Sequence, residues 1–190
     1  MKTSLWAAFS TLSLSMATSG AAFAESLSVC ERTPAVKVFI EQALTKTCDQ
    51  VTDTDLATLT RIAVPSRAVH EFKVGDFSGL PNLEILNIKG NPITQLPNGI
   101  FADLPKLKTL VIFRTQLASL PNDFLYGLDQ LENLHIFANP FTTIPASVLE
   151  TLGELAHLQV LDFNKALATE QQAELRQLFP EGGVVELNFY

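Results

Sequence analysis

Among the side chains that could exchange a proton near neutral pH, His135 and Asp162 stand in the closest relation. The strand pattern of the chain gives them the same outward position on neighbouring strands, with Asn188 next in line, so their side chains can touch. An aspartate can orient a histidine as a general base. The pattern puts no serine or cysteine beside the pair as nucleophile, and the chain has no HExxH, no paired-histidine spacing and no glycine-rich phosphate loop. The pair reads as a polar surface contact, and the chain as a non-enzyme with no metal and no cofactor. His70 and His157 fall in loop or convex segments and read as exposed polar residues.

A second group carries recognition rather than reaction chemistry. Phe113 and Phe137 occupy equivalent outward positions on adjacent strands, with Val111, Ile85 and Val160 expected close by and Arg114 beside them. Adjacent outward phenylalanines cost solubility, so such a patch points to a contact surface. Aromatic rings and an arginine in a polar surround are also the usual material of binding hot spots. Asn133, His135 and Asp162 supply that surround, which makes the expected ligand-binding set Ile85, Val111, Phe113, Arg114, Asn133, His135, Phe137, Val160 and Asp162. A register shifted by one residue would instead send the phenylalanines into the core.

These positions follow from an internal repeat. Leu83, Leu86 and Ile88 recur 24 residues later as Leu107, Leu110 and Ile112, and again as Leu131, Leu134 and Ile136. Within each unit the alternation Leu86, Ile88 describes a short strand with one face inward. One such strand cannot bury itself, whereas strands stacked about 4.8 Å apart turn each inward position into an apolar column. Asn91 and Asn139 follow the strands, where an amide side chain can satisfy backbone groups leaving the ladder. Leu96-Pro97 and Leu120-Pro121 break any helix on the return path, and Phe101 or Leu125 plugs the core.

Leu59, Ile62 and Val64 form a degenerate first unit, in which Arg67 takes the place of Asn91. The fourth unit runs to Leu158, Leu161 and Phe163 after 27 residues, long enough for a helix over 146–157. A further helix over 169–178 has Ala168, Leu175, Leu178 and Phe179 on its apolar side, and Val184, Leu187 and Phe189 repeat the strand pattern a sixth time. Thr115 replaces the turn asparagine in the third unit, and no asparagine falls in that slot after Phe163.

This spacing resembles the leucine-rich repeat family over residues 59–190, in its 24-residue class common among exported proteins. The resemblance implies an α/β solenoid: a parallel concave sheet of about six strands, a helical amino-terminal cap and a helix in the last repeat. It also implies that the concave sheet binds another macromolecule.

Residues 1–24 read as a secretory signal. Lys2 is the only charge before Glu25, an apolar stretch follows, and Ala22-Phe23-Ala24 ends it with small residues at the cleavage positions. Cleavage after Ala24 would deliver the protein to the periplasm or the exterior, leaving a cap over 25–58 and the repeats over 59–190. Export through an oxidising compartment favours a disulfide between Cys30 and Cys48, the only cysteines, with two buried thiols as the alternative. Between them Thr33-Pro34 reads as the start of a helix over 34–46, and Asp53 or Thr54 as the cap of a second short one.

Charge narrows the partners. The chain carries 13 basic and 20 acidic residues, and loss of Lys2 leaves 12 against 20, a net −8. Such a surface disfavours nucleic acid and anionic lipid, and no apolar segment remains for membrane insertion after cleavage. Three readings follow: a binding module for a protein or peptide ligand on the concave face, a self-associating envelope protein pairing through its last strand edge, or a glycan-binding protein using the aromatics.

Overall fold

The computed structural model describes residues 27–190; the expected signal and its cleavage point lie outside the described residues. Six parallel strands form one sheet in sequence order: β1 (Arg61–Ala63), β2 (Ile85–Asn87), β3 (Thr109–Val111), β4 (Asn133–His135), β5 (Val160–Phe163) and β6 (Glu186–Phe189). The register aligns Ile62, Leu86, Leu110, Leu134, Leu161 and Leu187 in one column. All but Leu187 are wholly buried. Strands this short gain their stability from neighbouring units rather than from their own length.

A second column runs through the return path. Phe77 stacks on Phe101 at 6.1 Å, and Phe124, rather than Leu125, meets Phe101 edge-on at 5.8 Å, although Leu125 is also buried. The turns between strand and return path are tied by amides. Asn91 Oδ1 accepts from the backbone N–H groups of Ala68 and Val69, both at 3.0 Å, while its Nδ2 donates to the Ile88 carbonyl. Asn139 does the same one unit apart, accepting from Thr115 and donating to Ile112 and Ile136. Each amide thus satisfies backbone groups of its own unit and of the preceding one.

Two turn expectations need correction. Arg67 does not take the place of Asn91: it lies at φ 62° and its N–H donates to the Gly90 carbonyl, as Gly90 N–H does to Phe113. The first unit has one extra residue after β1, so Arg67 holds the left-handed place of Gly90, Arg114 and Ala138. In the fifth unit the amide role is filled after all, by Asn164, whose Oδ1 accepts from Asn139 N–H and whose Nδ2 donates to the Asn139 carbonyl.

At the amino-terminal end, α1 (Pro34–Leu44) buries Val36 and Ile40 against the first unit. It closes at Thr45, in the left-handed region at φ 52°, two residues short of the expected end. Thr33 does not cap it, because its hydroxyl donates to Asp76 at 2.6 Å. Buried Asp76 also accepts from the backbone N–H of Thr33 and Lys73, and buried Arg32 donates to the carbonyls of Asp76 and Ser78. Burial holds the Arg32 guanidinium below its ordinary pKa, opposed by the Asp76 charge. Cys30 and Cys48 are bonded, with Cα atoms 5.0 Å apart. The next helix, α2 (Asp53–Leu56), is capped by Thr52, one residue earlier than expected, because Thr52 and Asp55 bond each other's backbone N–H in a capping box.

In the fourth unit α3 (Ala146–Glu154) occupies the return path and buries Val148, Leu149 and Leu152. Then α4 (Thr169–Leu178) buries Leu175, but Leu178 is 41% exposed, its side chain lying beside Gly153 of α3. Val184 is 91% exposed and precedes β6 instead of joining the core.

Candidate functional site

The outward side chains of the strands form parallel rows. Register places Arg61, Ile85, Thr109, Asn133, Val160 and Glu186 in one row, and Ala63, Asn87, Val111, His135, Asp162 and Asn188 in the next. Ile85, Val111, Asn133, His135 and Val160 flank fully buried residues and are themselves half-buried, as side chains lying on a sheet surface are. A third row follows two residues further on, where Lys89, Phe113 and Phe137 leave their strands.

Phe113 and Phe137 are half-buried and stack on each other, ring centroids 4.7 Å apart and planes 10° from parallel. Their spacing matches that of adjacent strands, so two identical side chains in register stack face to face. Lys89 Nζ sits 5.5 Å from the Phe113 ring centroid and Arg114 Cζ 5.9 Å, so both cations lie within cation–π reach.

Tyr190, absent from the expected ligand-binding set, extends this row. Its ring centroid lies 4.7 Å from that of Phe137, although β5 runs between their strands. The reason lies in Asn164. Strand alternation from Val160 and Asp162 would point it outward, but it is buried with its amide turned into the ladder, which lets the Tyr190 ring pass over it to Phe137. The row therefore reads Lys89, Phe113, Phe137, Tyr190.

Ile85 and Val160 do not join it. They lie in the first row, separated from each other by Thr109 and Asn133, and four residues of strand, about 13 Å, separate that row from the rings. Between them runs a polar row in which the His135 Nδ1 and Asp162 Oδ2 atoms are hydrogen-bonded and Asn188 Nδ2 donates to Asp162 Oδ1 at 3.1 Å. Asp162 is nearly buried by these partners. Asn133 Nδ2 donates to Thr109 Oγ1 at 3.4 Å. Among the described residues no cluster of three or more His, Cys, Asp or Glu side chains could hold a metal ion, and no helix is long and apolar enough to cross a membrane.

Comparison with known proteins agrees with this geometry. The profile of the leucine-rich repeat family matches residues 37–182. No curated protein matches the chain. Among solved structures, a leucine-rich repeat protein of Leptospira interrogans superposes with a TM-score of 0.60 at 24% identity, over 74% of this chain and 34% of that one. That likeness concerns the fold, and the chain spans about a third of the length of that structure. Short strands in unbroken order, a buried leucine column and asparagine-tied turns, matched by the family profile over most of the length, place this chain in the leucine-rich repeat family.

Proposed function

We propose that the protein is an exported, non-catalytic binding module that holds a protein or peptide ligand on its concave face. Family membership supports the coarser half of this reading, a protein-interaction module. The observation that carries the finer half is the surface row of Phe113, Phe137 and Tyr190, with Lys89 and Arg114 against its first ring. Rings presented in this way offer a large, rigid contact area at small entropic cost. The His135–Asp162 contact fits the same reading, since His135 from β4 and Asn188 from β6 close on the aspartate and make it part of the surface's polar framework. The disulfide between Cys30 and Cys48 supports passage through an oxidising compartment.

The test is a double substitution, Phe113→Asp with Phe137→Asp. The expected outcome is a melting temperature close to that of the parent and loss of the proteins that the parent retains from its native host. Retention of the same proteins by both forms would refute the assignment of the ligand to this face, and a large drop in melting temperature would mean that the rings support the core.

A second reading, self-association through the last strand, is favoured by β6. Among the described residues no strand pairs with its outer edge, and Val184, which precedes it, is exposed. Sedimentation at increasing concentration decides this: a strict monomer throughout rules out edge pairing. Binding of a glycan has less support, because Asp162 and Asn133 already spend hydrogen bonds on their neighbours.

A further inference from the structure

The loops that leave the strands differ in charge from those that enter them. The stretches 64–69, 88–93, 112–117, 136–141 and 163–167, which carry the chain out of β1 to β5, contain no Asp or Glu and hold Arg67, Lys89, Arg114 and Lys165. On the entering side stand Glu84, Asp103, Asp129, Glu132 and Glu154, against Lys106 and Lys108. In a chain of 20 acidic and 13 basic residues, one rim of the outward face is thus cationic without a local counter-charge; Glu71 is the next acid along the chain. The ion pairs among the described residues are Lys46–Asp55, Lys108–Glu84 and His135–Asp162. Arg67, Lys89, Arg114 and Lys165 are exposed and belong to none of them.

Two of these cations sit where the backbone favours a different residue. Arg67 and Arg114 adopt φ 62° and 55° at the turn position where Gly90 lies at 69°. That conformation is easy for glycine and costs free energy for a residue with a Cβ. Both arginines line one groove of about 530 Å³ with His70, Pro92 and Gln116. Through Arg114, which also approaches the Phe113 ring, the groove is continuous with the aromatic row.

We infer that the ligand of this face is an acidic peptide segment: its carboxylates engage Arg67, Lys89 and Arg114, and an apolar or aromatic side chain beside them lies on the Phe137 and Tyr190 end of the row. This rests on the concave-face reading above. Guanidinium groups match carboxylates in fork geometry. A short segment lying along these loops meets their cations and none of the acidic side chains of the opposite rim. A long polyanion or an anionic bilayer would also meet the remainder of a molecule with net charge −7, which repels it.

The experiment is selection from a randomised peptide library displayed on phage, using the parent, the Arg67→Gly/Arg114→Gly variant and the Phe113→Asp/Phe137→Asp variant, with an oligothymidylate and phosphatidylserine vesicles as polyanion probes. The parent is expected to enrich peptides with Asp or Glu next to an aromatic residue. The arginine-to-glycine variant is expected to melt at or above the parent temperature, because glycine suits the turn, and to bind the selected acidic peptide at least about tenfold more weakly. Enriched peptides without acidic bias, retained by the arginine variant and lost by the phenylalanine variant, would overturn the inference and leave the concave-face reading standing. Enrichment indifferent to both variants would overturn both. Tighter arginine-dependent binding of the oligothymidylate or of the vesicles would overturn it in favour of a phosphate ligand.

Discussion

Leu110 and Val111 are neighbours in β3 and face opposite sides of one sheet. On the inner side the column from Ile62 through Leu86, Leu110 and Leu134 to Leu161 is apolar at every step and closed to solvent. On the outer side the row through Val111 reads Ala63, Asn87, Val111, His135, Asp162 and Asn188, with no type repeated from one strand to the next until the asparagine returns at the end. Stacking constrains the first set and leaves the second free, because burial depends on the inward side chain alone. The outer face can therefore change its chemistry without changing the fold, which is why the proposed ligand is placed there.

The largest loss on substitution is expected on the inner side. Leu110→Ala is expected to lower unfolding free energy by about 2–5 kcal/mol, the range for deleting a buried leucine side chain, whereas Val111→Ala should stay below about 1 kcal/mol. Urea denaturation of the two variants checks this, and equal losses would erase the distinction between the faces. The next effect concerns the ties between units. Asn139→Ala leaves the Thr115 N–H and the Ile112 and Ile136 carbonyls without their partner, and should cost about 1–3 kcal/mol in the same assay.

The smallest effect belongs to neither face. Asp55, bonded to Lys46 and to Thr52, has its carboxyl lowered from 3.8 to about 2. A carboxyl lowered in the folded state stabilises above its unfolded value and loses that contribution as pH falls through the folded one. The difference in melting temperature between the parent and Asp55→Asn should hold steady above about pH 4 and vanish as pH falls toward about 2. A difference that persists in acid would mean that the carboxylate is not its source.

What the sequence revealed and what it hid divide along the same line. Leu86, Leu110 and Leu134 were legible because burial imposes one residue type at a fixed period, and the partnership of Phe113 with Phe137 followed because parallel register carries one row into the next. Tyr190 escaped assignment because its ring reaches over Asn164 to a strand that is not its neighbour, and Asn164 itself could not be placed by counting from Leu161. Arg67 was misaligned by a one-residue insertion that the first unit absorbs in its turn. The buried Arg32 and Asp76 contacts span more than 40 residues, and no periodicity announces a pairing made once. The charge difference between the two rims was present in the sequence, but became visible only when the strands fixed which loops share an edge.

The central claim, that the outward aromatic row is the contact surface, is tested most directly by photocrosslinking in the native host with a benzophenone amino acid at position 137 and, as a control, at position 126, where Tyr126 is 57% exposed on the return path. A discrete protein or peptide adduct is expected at 137 and none at 126. Adducts at 126 with none at 137 would contradict it.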